Sequence, residues 1–370
     1  MENKKRNIAI DYYKAFLVIF MISAHIIQLV GTPNELEVKF SDFVNLTTFS
    51  GFMFCFGYTT NVAYLSKENL PHKKIFKGFL KTLTTFYIAG IFSIILVQKN
   101  MSPKTFTDLL SLQELPSYTE FLCSFAYLYL IIIVFGKGIC KITKSLPLTL
   151  LFIALSMLSA FIDPDINRIR ILGPVVGGYM DYYFPLMQYF AFYLIGARFA
   201  DRISKPLFAI SAVSAIVIKN LYSFNELSEY RFPPKFLFIL TGMFFVYVIY
   251  TIVYGICHII NKSNNHDNDI NQKDIYASAK GKSNIDKNHN SKYKFYKLVS
   301  IFNNEICFIS KNTIYYLLFS NIIIFVISYL KLVRFAAYET LFRIAILVFI
   351  LIITKAILCL YQRYSLLICK

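Results

Sequence analysis

Apolar runs long enough to cross a bilayer follow one another along almost the whole chain, and this feature constrains the fold more than any other. A spanning helix needs about 20 mostly apolar residues, because the hydrocarbon core is roughly 30 Å thick and a helix rises about 1.5 Å per residue. Ten segments meet that measure: Tyr12 to Val30, Phe43 to Leu65, Thr82 to Gln98, Tyr118 to Phe135, Leu146 to Ile162, Tyr182 to Ala200, Pro206 to Tyr222, Phe236 to Ile260, Ile306 to Leu330 and Leu341 to Leu360. Only 16% of residues are charged, against about 25% in soluble domains, which excludes a water-soluble globular fold. Backbone groups in lipid must be satisfied internally, and no segment alternates as a barrel strand would. The expected fold is an all-α integral membrane protein, a bundle of about ten transmembrane helices.

The formal charge is +17, which in a soluble chain would raise the question of nucleic acid. In a membrane chain the placement of Lys and Arg has to be read first. With the N-terminus inside, the segments on the inner side of the ten spans hold 24 Lys and Arg against nine on the outer side. Positive residues in short loops stay in the cytoplasm, so both termini are expected to be cytoplasmic, and no nucleic-acid partner is expected. Lys4, Lys5 and Arg6 ahead of the first span imitate a signal peptide, but the apolar run is too long and no small-residue cleavage site follows, so the span is read as a retained anchor.

The chain reads as a single polytopic domain, 1–370, interrupted at 261–297 by a stretch of Asn, Lys, Asp and Ser expected to be a disordered cytosolic loop. Two His in that loop lack metal-ligand spacing, and no metal is expected. The 7 Cys show no CxxC pair and read as packing residues. With no Trp, interfacial anchoring falls to Tyr. No internal repeat suggests inverted transporter halves.

Ionisable groups at membrane depth are costly, so each is a candidate site. His25 is the one His deep inside an apolar run, whereas His258 lies at the end of its span. Lys14 precedes His25 by eleven residues, about three turns plus 20°, which puts both on one helix face roughly 16 Å apart. Asp11 is expected to cap the helix start and to pair with Lys14. The alternatives are a snorkelling Lys14 and a hydrogen-bonded structural His25. Glu120, Lys219 and Asn321 are further polar residues, each with an ordinary end-of-helix or helix-to-helix hydrogen-bonding role.

The run from Arg6 through Asp11 and Lys14 to His25 resembles the opening of the membrane-bound acyltransferase 3 family, which O-acetylates surface polysaccharides and includes fucose 4-O-acetylase-like and intercellular adhesin-type members. The hallmark there is a basic residue, ten intervening residues and a His; Lys14 stands where Arg is usual. Met53-Phe-Cys-Phe-Gly57-Tyr58 looks like the Phe-rich second-helix stretch, with Phe56 in place of Ser. Phe76 to Lys81, Phe184 to Gly196 and Ser310 to Ser320 resemble later segments in the same order, and Ser320 occupies a place often held by His. The Trp usual in the fourth helix is absent.

The resemblance implies a membrane-bound O-acyltransferase carrying an acyl group, here acetyl, from cytosolic acetyl-CoA to a hydroxyl of a cell-surface carbohydrate. Acetyl-CoA would be a substrate, and no tightly bound cofactor is expected. Such chemistry needs a base for the hydroxyl proton and a place for the developing oxyanion. His25 is the candidate base or acyl carrier and Lys14 its catalytic partner toward the donor. Lys73, Lys74, Lys77 and Lys81 are candidates for the donor's phosphates. Tyr179, Asp181 and Tyr182 are candidates for the acceptor sugar, the alternative being an interfacial Tyr belt. Expected partners are the bilayer, acyl-CoA, the carbohydrate and a polysaccharide assembly machinery, in a bacterial plasma membrane. Two other classes stay open: an exporter or flippase of a surface glycan, and an inactive scaffold.

Overall fold

The computed structural model describes residues 7–113, 115–163, 167, 169–177, 184–201, 203–232, 234–278, 301–332 and 339–368. Every regular element among them is helical. α1 (Ile8–Leu29) is capped by Asn7, whose Oδ1 accepts from the Ala9 N–H at 3.0 Å. Asp11 therefore does not cap the helix as expected. It lies a turn further in, too far along to reach the free N–H groups, and its Oδ1 instead accepts from the Ser310 hydroxyl at 2.7 Å. α2 (Glu35–Thr60) opens with a reciprocal capping box between Asn34 and Glu37, eight residues before the expected span, and runs on into a π-helical turn at Asn61–Leu65.

α3 (His72–Ser93) likewise ends in a π-helical turn, Ile94–Gln98. The short α4 (Pro103–Leu110), started by Ser102 and Pro103, leads to α5 (Glu120–Lys144) and α6 (Leu146–Leu158). There follow α7 (Gly173–Val176), α8 (Leu186–Phe199), α9 (Lys205–Leu221), α10 (Phe224–Glu229) and α11 (Phe236–Ser278). The last three are α12 (Ile301–Lys311), α13 (Thr313–Tyr329) and α14 (Glu339–Ile368). α11 runs well into the stretch expected to be a loop from Asn261, and residues 279–297 of that stretch lie outside the described residues.

The chain fits an all-α membrane protein, but not the expected ten spans. Among the described residues five helical segments are long and apolar enough to cross a membrane: Ile8–Leu29, His72–Gln98, Glu120–Lys144, Phe236–His258 and Glu339–Arg363. A sixth is added if α12 and α13, bent 83° at their junction, count as one. α2 has the length, but Asn45, Thr47, Thr48, Ser50, Thr59 and Thr60 dilute its apolarity. α6, α8 and α9 have 13, 14 and 17 residues, shorter than the roughly 20 a span needs.

Burial explains how α2 tolerates its polar residues. Its side chains pack on α1, α8 and α11, and Phe54, Met53 and Leu46 are fully enclosed. At the α2–α8 crossing the two backbones touch: a Cβ on Gly57 would run into the Tyr193 carbonyl, and one on Gly196 into that of Phe54. Small residues at such a crossing let dispersion replace the hydrophobic drive that lipid does not supply. Tyr13, Phe54 and Tyr250 join α1, α2 and α11 around one aromatic cluster.

Arg343 fixes α14 to this centre. Its Nε donates to the Val30 carbonyl at 2.9 Å, Nη1 to both Glu37 oxygens at 2.8 and 2.7 Å, and Nη2 to Thr32 O and Glu339 Oε2, each at 2.7 Å. The buried guanidinium thus meets two carboxylates and two carbonyls in its own fork geometry.

Candidate functional site

The two residues singled out on α1 do share a face, and each lines a cavity. His25 is buried; its Nδ1 is 2.8 Å from Asn321 Oδ1 on α13. The Asn321 amide is oriented by its other end, Nδ2 donating to the Tyr118 carbonyl at 3.0 Å. Oδ1 must therefore accept, which makes Nδ1 the protonated ring nitrogen and leaves the lone pair on Nε2. The Tyr118 ring packs edge-on to the imidazole at 5.1 Å. This is the tautomer and restraint a general base requires.

His25 lines a cavity of about 30 Å³ together with Met21, Ala24, Val44, Asn45, Thr48, Phe49, Phe121, Phe184 and Arg231. Arg231 comes from the segment between α10 and α11, and its guanidinium lies 5.0 and 4.5 Å from the ring centres of Phe184 and Phe232. Burial presses its pKa below the ordinary value, opposed by Tyr189, Glu120 and Tyr118.

Lys14 lines a second, larger cavity of about 330 Å³. Its walls are apolar where Phe52, Phe56, Leu122, Phe125 and Leu317 face it, and hydroxyls come from Thr59, Thr60, Tyr64, Tyr129, Ser310 and Thr313. Three ammonium groups border it: Lys14, Lys81 and Lys311. Lys81 also sits 4.1 Å over the Tyr315 ring. The cavity is lined from α1, α2, α3, α5, α12 and α13. Phe121, 2% exposed, belongs to the lining of both cavities and is their shared wall.

Of the other expected donor residues, Lys73, Lys74 and Lys77 are exposed on the first turns of α3 and line neither cavity. Tyr179, Asp181 and Tyr182 lie outside the described residues. Phe56 packs on Phe125 and Tyr129 in the cavity wall. Ser320 donates to its own helix at Leu317 O, 3.2 Å, while the next residue, Asn321, makes the contact to His25.

Three residues of the site escaped sequence reasoning as site residues. Asn321 had a polar position in an apolar run as its signal. Arg231 counted only toward loop charge, and Lys311 carried no signal until the bend between α12 and α13 turned it to the cavity. Comparison with known family models, curated proteins and solved structures returned no match.

Proposed function

We propose that the chain is a membrane-bound O-acyltransferase that moves an acetyl group from cytosolic acetyl-CoA to a hydroxyl of a surface carbohydrate. The observation that carries this reading is the pairing of His25, locked by Asn321 with its lone pair on Nε2, with a basic-rimmed apolar cavity one side chain away. Lys14, Lys81 and Lys311 suit the phosphates of the donor, the apolar walls suit its pantetheine arm, and Phe121 stands between the thioester and the base. In this reading the termini are cytoplasmic in a bacterial plasma membrane, and α2, α6, α8 and α9 serve as further short or partly polar passes toward the count of ten.

The test is the O-acetyl content of surface glycans in cells lacking the protein, complemented with the native chain or with His25→Ala at equal membrane levels. Restoration by the native chain alone supports the reading; restoration by both removes His25 from the chemistry. A second reading, glycan export, draws on the 83° break between α12 and α13, since interrupted helices recur in transporters. It takes over if acetylation is unchanged by the deletion while glycan export falls.

A further inference from the structure

Two residues that line the His25 cavity each carry a buried polar atom that nothing satisfies. Thr48 is 4% exposed, and its Oγ1 has no hydrogen-bond partner. The enclosed Nε of Arg231 has none either. Buried donors are almost always paired, so two unpaired ones around one space mark a place for a ligand atom. At about 30 Å³, the space would take about two waters at roughly 10–15 Å³ each. That suits a carbonyl oxygen and an entering hydroxyl, with the sugar ring and the phosphates kept outside. The Arg231 guanidinium also rests against the Phe184 and Phe232 rings, at 5.0 and 4.5 Å from their centres.

We propose that Arg231 and Thr48, which line the cavity with His25, are the donors that hold the acyl oxygen while it carries negative charge; this rests on the acyl-transfer reading above. The acceptor hydroxyl gives its proton to His25 Nε2 as its oxygen bonds to the thioester carbon, and the C=O π pair moves onto the oxygen between Arg231 and Thr48. Collapse restores the carbonyl and breaks the C–S bond, and the departing thiolate takes the proton from Nε2 to leave as free CoA thiol. The guanidinium charge and the Thr48 hydroxyl are fixed before the reaction, which is what makes such donors effective.

The test uses inside-out membrane vesicles from the deletion strain, complemented with each full-length variant at equal membrane levels and supplied with radiolabelled acetyl-CoA. Base-labile label on carbohydrate is followed, giving Vmax and the KM for acetyl-CoA. Arg231→Gln is expected to lower Vmax about 10²–10³-fold with KM within about threefold. Arg231→Lys should recover part of that loss, and Thr48→Val should lose roughly tenfold where Thr48→Ser does not. Native Vmax in both Arg231→Lys and Thr48→Val, or in Arg231→Gln, with His25→Ala inactive, overturns the oxyanion assignment and leaves the transferase reading standing. Vesicles carrying the native chain that incorporate no label overturn both.

Discussion

Replacing Asn321 with Leu tests the arrangement of the base most directly. The substitution keeps the branched shape but removes the acceptor of the His25 Nδ1–H and the donor to the Tyr118 carbonyl. Each buried group left without a partner costs about 1–3 kcal/mol, so the two together imply a loss of about 2–6 kcal/mol if the site stays as it is. The imidazole can also move its proton to Nε2. That exchanges the unpaired donor at Nδ1 for an unpaired acceptor and takes the lone pair off Nε2, and with it the roughly 10²–10⁴-fold that a positioned base supplies. Asn321→Leu is therefore expected to lower the initial acetylation rate by about 10²-fold or more while its melting temperature in detergent falls only modestly. Asn321→Asp keeps an acceptor for Nδ1–H and should retain more rate than Leu, although it loses the tie to Tyr118. Nitrogen-15 shifts of labelled histidine report the tautomer separately from rate. A rate within threefold of native in Asn321→Leu, with the Nδ1–H tautomer still populated, would show that Asn321 does not set the state of His25.

Arg343→Met leaves Glu37 and Glu339 without their buried cation and should destabilise the protein by about 3–5 kcal/mol, read as a lower midpoint in thermal unfolding. The same clamp predicts an acid limit. Burial on its own would raise the Glu37 carboxyl, but the Asn34 N–H and the Arg343 guanidinium outweigh it and hold the pKa below the ordinary value. The stabilisation is thus complete above the unfolded carboxylate value, about 4.3, and fades as pH falls through the lower folded one, a trend that Glu37→Gln should flatten in melting curves. Gly57→Ala and Gly196→Ala each force the α2–α8 backbones apart and should cost about 1–3 kcal/mol or more, visible as lost monodispersity in size-exclusion chromatography. Lys311→Gln should raise the KM for acetyl-CoA several-fold and weaken its dependence on ionic strength, leaving Vmax near native.

What was legible in the sequence followed from local periodicity. Eleven residues between Lys14 and His25 make nearly whole turns, so their common face was fixed by helix geometry, and both line adjoining cavities. The helical class followed equally from apolar length. The count of spans did not, because a hydropathy run cannot tell lipid-facing from protein-facing surface: Thr47, Thr48 and Thr60 of α2 are buried against neighbouring helices, and their polarity lowers the helix's apolar score without exposing them to lipid. The partners of His25 were also beyond reach. Asn321 lies 296 residues away and is chosen over Ser320 only by the rotation of α13. Arg231 reaches the cavity from a loop, and in the sequence its charge has meaning only for topology because the Phe184 ring it rests on is 47 residues away.

Phe121 lines both the Lys14 cavity and the His25 cavity. A hydrolysable thioester and an activating base are best kept apart until the acceptor is present, since expelling water is what protects a reactive acyl group. In the proposed reaction, with Phe121 lining both cavities, the donor's thioester would meet His25 only when that ring turns. Phe121→Ala should accordingly open one continuous cavity and raise the hydrolysis of acetyl-CoA without acceptor, relative to transfer, by several-fold. The measurement is the ratio of CoA thiol released to carbohydrate-bound label in the same vesicles, and an unchanged ratio would show that Phe121 fills space without separating the two chemistries.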